Sequence, residues 1–376
     1  PGLEAIRTQH GEGVYEDVAT ALLLFDWTIR NVQLDATDWN VSMQPIDQVI
    51  ARLQAGEPAD KVQPPAAPAG ANCHAWEALL LGHGDAATRA RVFLSLCRQR
   101  DIPVVMLGVP SDTGDDEPRP WAAAALIGDE LFLFDAELGL PIPGPDGAAV
   151  ATLKQVLAQP ELLRRLDLDE EHPYWMAADK LTQLIGLIDA TPAQLSQRMW
   201  LVERQLRALP AEEREDDTYV DRKLVLTSAP GKTAKRLREL SVLKSQIWTV
   251  PYRALTYSEV RQAVDPQRFA ARISELTVYF GPLPLFPARM HHFRGELESN
   301  DDRKGAKHYY LECRKPERDI AAVANVPDVT GELTPERRDS MQEFARAAKV
   351  EATYWLGLIA AGQHDYGSAI DYLEAR

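Results

Sequence analysis

Gly84-Asp85-Ala86-Ala87-Thr88-Arg89-Ala90-Arg91-Val92-Phe93-Leu94-Ser95-Leu96-Cys97-Arg98-Gln99-Arg100-Asp101-Ile102-Pro103 runs directly into Val104-Val105-Met106-Leu107-Gly108-Val109. Ala90, Phe93, Leu94 and Cys97 recur at helical spacing, which predicts a helix over 87–100 with one apolar stripe. Val104 to Val109 is a continuous apolar run closed by Pro110, the pattern of a strand covered on both faces. The acidic, proline-containing stretch 111–120 reads as a solvated loop. Trp121 to Ile127 and Glu130 to Asp135 flank Gly128-Asp129, which predicts a hairpin with a two-residue turn.

Outward from this block the chain is mostly helical. Val18, Ala21, Leu22, Phe25 and Ile29 predict a helix over 17–30, and a second candidate, 44–55, ends at Gly56 and Pro58. Residues 58–70 are rich in Pro and Ala and lack large apolar groups, as in a connector. Asn72 to Leu81 predicts a short helix with Trp76 and Leu80 on one face. Downstream, the helical candidates are 152–166, 177–189, 192–209, 235–248 and 258–264, with a break at Pro230-Gly231. Residues 279–287 read as an ordered loop, 289–331 as polar and irregular, and Thr334-Pro335 as a helix start. The segments expected are an N-terminal helical piece (1–57), the connector (58–71), an α/β module (72–166), a mostly helical region (167–333) and a helical tail (334–376). The fold class is α+β and predominantly helical, with a small antiparallel sheet.

Bulk properties narrow the function. The 376 residues allow two or three domains with substantial cores. A net charge of −15 disfavours a nucleic-acid backbone or an anionic membrane as partner. No apolar run approaches the roughly 20 residues of a bilayer span. The three cysteines, Cys73, Cys97 and Cys313, are too widely spaced for a metal cluster or a disulfide framework. The chain opens on Pro1 rather than Met, which leaves room for a removed signal peptide and keeps the compartment open.

The order of helix, Ile102-Pro103, strand and hairpin resembles the transglutaminase-like (papain-like) core. In that family a Cys opens the helix, and a His and an Asp sit on the hairpin strands. On this frame the nucleophile position falls on Ala86, the base position on Pro120, and only the acid position is kept, as Asp135. The resemblance therefore implies the fold and argues against its activity. Trp121, Asp135 and Trp76 are the residues expected to line the remaining cleft.

A second resemblance lies in 352–376. Leu356-Gly357, followed by Ala369 and Leu373, is similar to one tetratricopeptide (TPR) unit, with Ala360 where an aromatic is usual and Arg376 where a small residue is usual. A single unit leaves an apolar face, so partner helices are expected from the segment after Thr334 or from residues beyond Arg376.

Other motifs carry less. Cys73 and His74 are adjacent and point in different directions, so Cys73 acts as a nucleophile only with a remote His such as His83. Gly231-Lys232-Thr233 echoes a P-loop end, but its earlier glycine position is Leu226. His291, His292 and His308 lack further ligands at metal spacing. Asn40-Val41-Ser42 fits a glycosylation acceptor. The expectation is a non-catalytic binding or scaffold protein with a protein or peptide partner and no cofactor, its oligomeric state open. The alternative is a cysteine-dependent hydrolase or acyl-transferase built on Cys73.

Overall fold

A six-stranded sheet organises the first part of the molecule. The computed structural model describes residues 2–35, 51–58, 61, 74–110, 118–208, 228–241, 243–249, 266–300, 302–322 and 334–375. The chain divides into two units, Pro1–Val264 and Asp265–Arg376.

The first unit begins with α1 (Gly2–His10), α2 (Glu12–Asn31), β1 (Gln33–Leu34), α3 (Ala75–Leu81), β2 (His83–Gly84) and α4 (Ala86–Gln99). β3 (Val104–Val109), β4 (Arg119–Ile127), β5 (Glu130–Asp135) and β6 (Leu140–Pro141) follow, and then α5 (Leu153–Ala158). The unit closes with α6 (Ala178–Leu181), β7 (Ile185–Ile188), α7 (Pro192–Leu195), α8 (Gln197–Ala208), α9 (Ser228–Leu240) and β8 (Lys244–Ile247). β3 to β6 pair antiparallel, β7 joins β3 antiparallel, and β8 joins β7 parallel.

Local chemistry sets these elements. Asp85 Oδ1 accepts the Thr88 amide at 2.7 Å, which caps α4 and fixes its start at Ala86. The hairpin turns on Gly128, whose φ of 60° suits glycine in a two-residue turn, with Ile127 paired to Glu130. β3 is buried along its whole length, as its apolar run predicts.

Side-chain alternation divides the sheet into two cores. Ala123, Ala125, Phe132 and Phe134 face α1, α2 and α4. Ala124, Leu126, Leu131 and Leu133 face α5, a 3-10 segment at Pro160–Leu166, and α9. Alanine is a weak strand former, yet Ala123 and Ala125 stand opposite Phe134 and Phe132. The small side chains leave room for the Phe25, Phe93 and Phe134 rings, whose centroids lie 4.9–5.3 Å apart.

The structure corrects several expectations. Residues 177–189 hold only one helical turn before becoming β7, because a short apolar run serves a strand as well as a helix. The candidate 235–248 ends as a helix at Leu240 and continues as the edge strand β8. Pro230 and Gly231 lie inside the first turn of α9, where a missing amide donor is harmless. Pro160 splits 152–166, and Ser196 divides 192–209 into α7 and α8. Trp76 is 53 % exposed while Leu80 is buried, so the two do not share a buried face. The helix candidate 258–264, most of 44–55, most of the connector, Cys73 and Asn40 lie outside the described residues.

The second unit is helical: α10 (Pro266–Phe280), α11 (Leu285–Phe293), α12 (Ala306–Cys313), α13 (Glu317–Ala322), α14 (Pro335–Gly362) and α15 (Tyr366–Glu374). Within the polar, irregular stretch expected over 289–331, the end of α11, α12 and α13 are helical, while 323–331 lie outside the described residues. Thr334 Oγ1 accepts the Arg337 amide at the start of α14, as its sequence predicts. The protein is thus mixed α+β and predominantly helical.

Candidate functional site

The three positions implied by the transglutaminase-like resemblance have different surroundings. Ala86 is the first residue of α4 and is buried. Pro120 lies on β4 opposite Gly108, where the pairing with β3 shifts register; a residue without an amide donor fits such an irregularity. Asp135 ends β5 and is fully buried. Strand alternation turns Phe134 toward α4 and Asp135 toward the opposite layer.

Its partners form a closed set. The Tyr174 hydroxyl donates to Asp135 Oδ2 and accepts the Trp121 indole N–H at 2.7 Å. Asp135 Oδ1 accepts the backbone amides of Glu137 at 2.8 Å and Leu138 at 3.0 Å. Burial raises the Asp135 carboxyl to about 6, against the opposing pull of these hydrogen bonds. Burial and the neighbouring Asp135 also raise the Tyr174 phenol, so Tyr174 stays a donor.

Tyr174 is held in turn by its flanking chain. Its amide donates to Asp167 at 2.7 Å, and Arg164 Nη2 donates to the carbonyls of Tyr174 at 2.9 Å and Met176 at 2.6 Å. Nearby, the Arg119 guanidinium stacks on Trp175 at 3.8 Å. Sequence reasoning missed Tyr174, which stands 39 residues from Asp135 and belongs to no motif. Trp121 is buried, while Trp76 is exposed on α3, so the expected cleft residues do not share one surface.

Two described cysteines are inert. Cys97 is buried in the core under α4, and burial pushes its thiol well above the ordinary range. Cys313 is buried in the second unit and pushed up to about 12. His83, the remote base considered for Cys73, has its Nδ1 3.0 Å from both carboxylate oxygens of Asp35. The β1–β2 pairing that sets Leu34 beside Gly84 brings them together.

The remaining motifs resolve into structure. His291 pairs with Glu296 at 2.5 Å and His308 with Glu312 at 2.9 Å. His292 contacts Tyr310 and Arg289 in the interior. Among the described residues, no group of three or more His, Cys, Asp and Glu is placed to hold a metal, and no helix is long and apolar enough to cross a membrane. Lys232 and Thr233 lie within α9 rather than on a strand–helix loop.

In the tail, α14 and α15 pack on each other through a short turn. Leu356 and Ala369 are buried, and a Cβ on Gly357 would stand 3.0 Å from Leu373 Cδ2. Leu373 is 44 % exposed and with the exposed Tyr366 and Ile370 forms an apolar stripe along α15. Comparison with protein-family models, with curated proteins and with solved structures returns no match.

Proposed function

We propose that this chain is a non-catalytic binding protein: a degenerate transglutaminase-like module joined to a TPR-like helix pair, acting through a protein or peptide partner. The observation that carries the reading is the closed bonding of Asp135. An acid whose oxygens are all engaged by Tyr174 and two turn amides, with no exposure to solvent, has no base to orient and no route to a substrate. Ala86 and Pro120 supply neither nucleophile nor base. The Tyr366, Ile370 and Leu373 stripe supports a partner-binding role for the tail.

The test is to incubate the purified chain with thiol-directed activity probes and with amine-donor and glutamine substrates. No turnover is expected. Turnover that disappears in Cys73→Ala would overturn the reading. It would promote a cysteine-dependent hydrolase or acyl-transferase, a reading favoured by the carboxylate-oriented imidazole of His83. For the tail, Ile370→Glu is expected to lose partners that the intact chain retains; identical partner sets would remove the helix pair from the account.

A further inference from the structure

The loop between β6 and α5 contains Gly144-Pro145-Asp146-Gly147-Ala148, which holds the single Asp-Gly pair of the sequence; no Asn-Gly pair occurs. Asp146 stands at φ 53° and ψ 28°, in the left-handed region that L side chains rarely adopt. Gly147 follows at φ 78°. Both residues are exposed, and a Cβ on Gly147 would meet nothing within 4 Å. Two bonds close the turn, from the Ala148 amide to the Pro145 carbonyl at 2.9 Å and from the Gly144 amide to the Ala148 carbonyl at 3.0 Å. Neither clamps the peptide between Asp146 and Gly147.

The same loop seats the start of α1. The Ala149 amide donates to the Gly2 carbonyl at 3.1 Å. A Cβ on Gly2 would stand 2.8 Å from the Ala149 nitrogen and 2.9 Å from the Gly147 carbonyl oxygen, so the two backbones touch directly. Ile6 of α1 joins Ala148 and Val150 in the core under α4. The path of the chain through 146–149 therefore sets where α1 rests.

We propose that Asp146 is a site of spontaneous isomerisation to isoaspartate, and that this covalent change unseats α1. The Gly147 amide nitrogen attacks the carbon of the protonated Asp146 carboxyl. A C–N bond forms, a C–O bond breaks, and the carboxyl hydroxyl departs with the amide proton as water. Water then opens the five-membered imide. Addition at the side-chain carbonyl restores aspartate, and addition at the main-chain carbonyl leaves the chain running through the Asp146 side-chain methylene. One water is lost and one regained, and nothing is oxidised. Ring closure requires the Asp146–Gly147 peptide to turn its nitrogen toward the carboxyl; a glycine in open space meets no neighbour in doing so. The product carries an extra main-chain carbon. It relieves the left-handed Asp146 and displaces the Gly147 carbonyl and Ala149 amide that meet Gly2.

The experiment ages three samples near neutral pH: the intact chain, the same chain unfolded in urea, and Asp146→Gly, which suits a positive φ and has no carboxyl. Peptide mapping separates isoaspartyl from aspartyl peptides of equal mass. Isoaspartate is expected at 146 in the folded chain. The isoaspartyl form, isolated by chromatography, should lose the slow hydrogen exchange of the α1 amides, while aged Asp146→Gly keeps that of its fresh counterpart. Absence of isoaspartate at 146 in the folded chain, even where the unfolded chain forms it, would overturn the proposal. So would an isoaspartyl form whose α1 amides exchange as slowly as those of the fresh chain, or equal loosening of α1 in aged Asp146→Gly.

Discussion

Burial raises the Asp135 carboxyl to about 6 although Tyr174 and two turn amides bond it. An unfolded aspartate titrates near pH 3.9, so the folded chain holds this proton more tightly than the unfolded one. The associated stability is complete below about pH 4 and is lost as the pH rises to about 6. A rise of this size corresponds to about 3 kcal/mol. Urea unfolding at pH 4.5 and pH 7 should show this loss in the first unit, and Asp135→Asn should remove it. Tyr174→Phe leaves the Trp121 indole and one Asp135 oxygen without their partner and should cost about 1–3 kcal/mol. An undiminished denaturation midpoint in that variant would contradict the role assigned to the hydroxyl. At this scale the sequence exposes Asp135 as the last residue of a hairpin strand. It does not expose Tyr174, because no local pattern links a tyrosine in an irregular segment to an acid 39 residues earlier.

Elements whose periodicity is long and whose ends are marked were legible. Asp85 caps α4, Thr334 caps α14, and Gly128-Asp129 turns the hairpin, each through side-chain or backbone chemistry contained in a few residues. β7 and β8 were not legible. Ile185-Gly186-Leu187-Ile188 is too short for its period to distinguish strand from helix, and Lys244-Ser245-Gln246-Ile247 is a mostly exposed edge strand without an apolar signature. Only pairing with β3 and with each other defines them. The contact of Gly357 with Leu373 yields an element-scale prediction. Gly357→Leu should force α15 away from α14 and destabilise the second unit by about 1–3 kcal/mol. Combining it with Leu373→Ala should restore part of the loss, since the two changes act on one contact. Strictly additive effects in a denaturation cycle would show that the helices do not meet there.

Across the whole molecule, two buried groups give its two units opposite responses to acid. In the second unit Arg289 is fully buried, with its guanidinium 3.4 Å from the Trp355 ring centroid. His292, facing Arg289, Tyr310 and Trp355, is lowered to about 3 by burial and by the arginine charge. An unfolded histidine titrates near 6.5, so its contribution is present above that pH and is lost as the pH falls toward 3. Between pH 7 and pH 5 the second unit should lose on the order of 2 kcal/mol while the first gains from Asp135. Hydrogen exchange should report loosening at the amides of α11 and α14 and tightening in β4 and β5. His292→Gln should abolish the former alone. Length and composition foretold a chain with real cores. They are silent on where charges are buried, because burial follows from contacts between distant segments.

The central claim is that this framework carries no activated thiol, and native-state alkylation resolved by mass spectrometry tests it most directly. The account predicts that Cys97 and Cys313 resist iodoacetamide until the chain is unfolded, and that labelling of Cys73 is unchanged by His83→Asn or Asp35→Asn. Rapid labelling of Cys73 at pH 6 that His83→Asn or Asp35→Asn eliminates would contradict it.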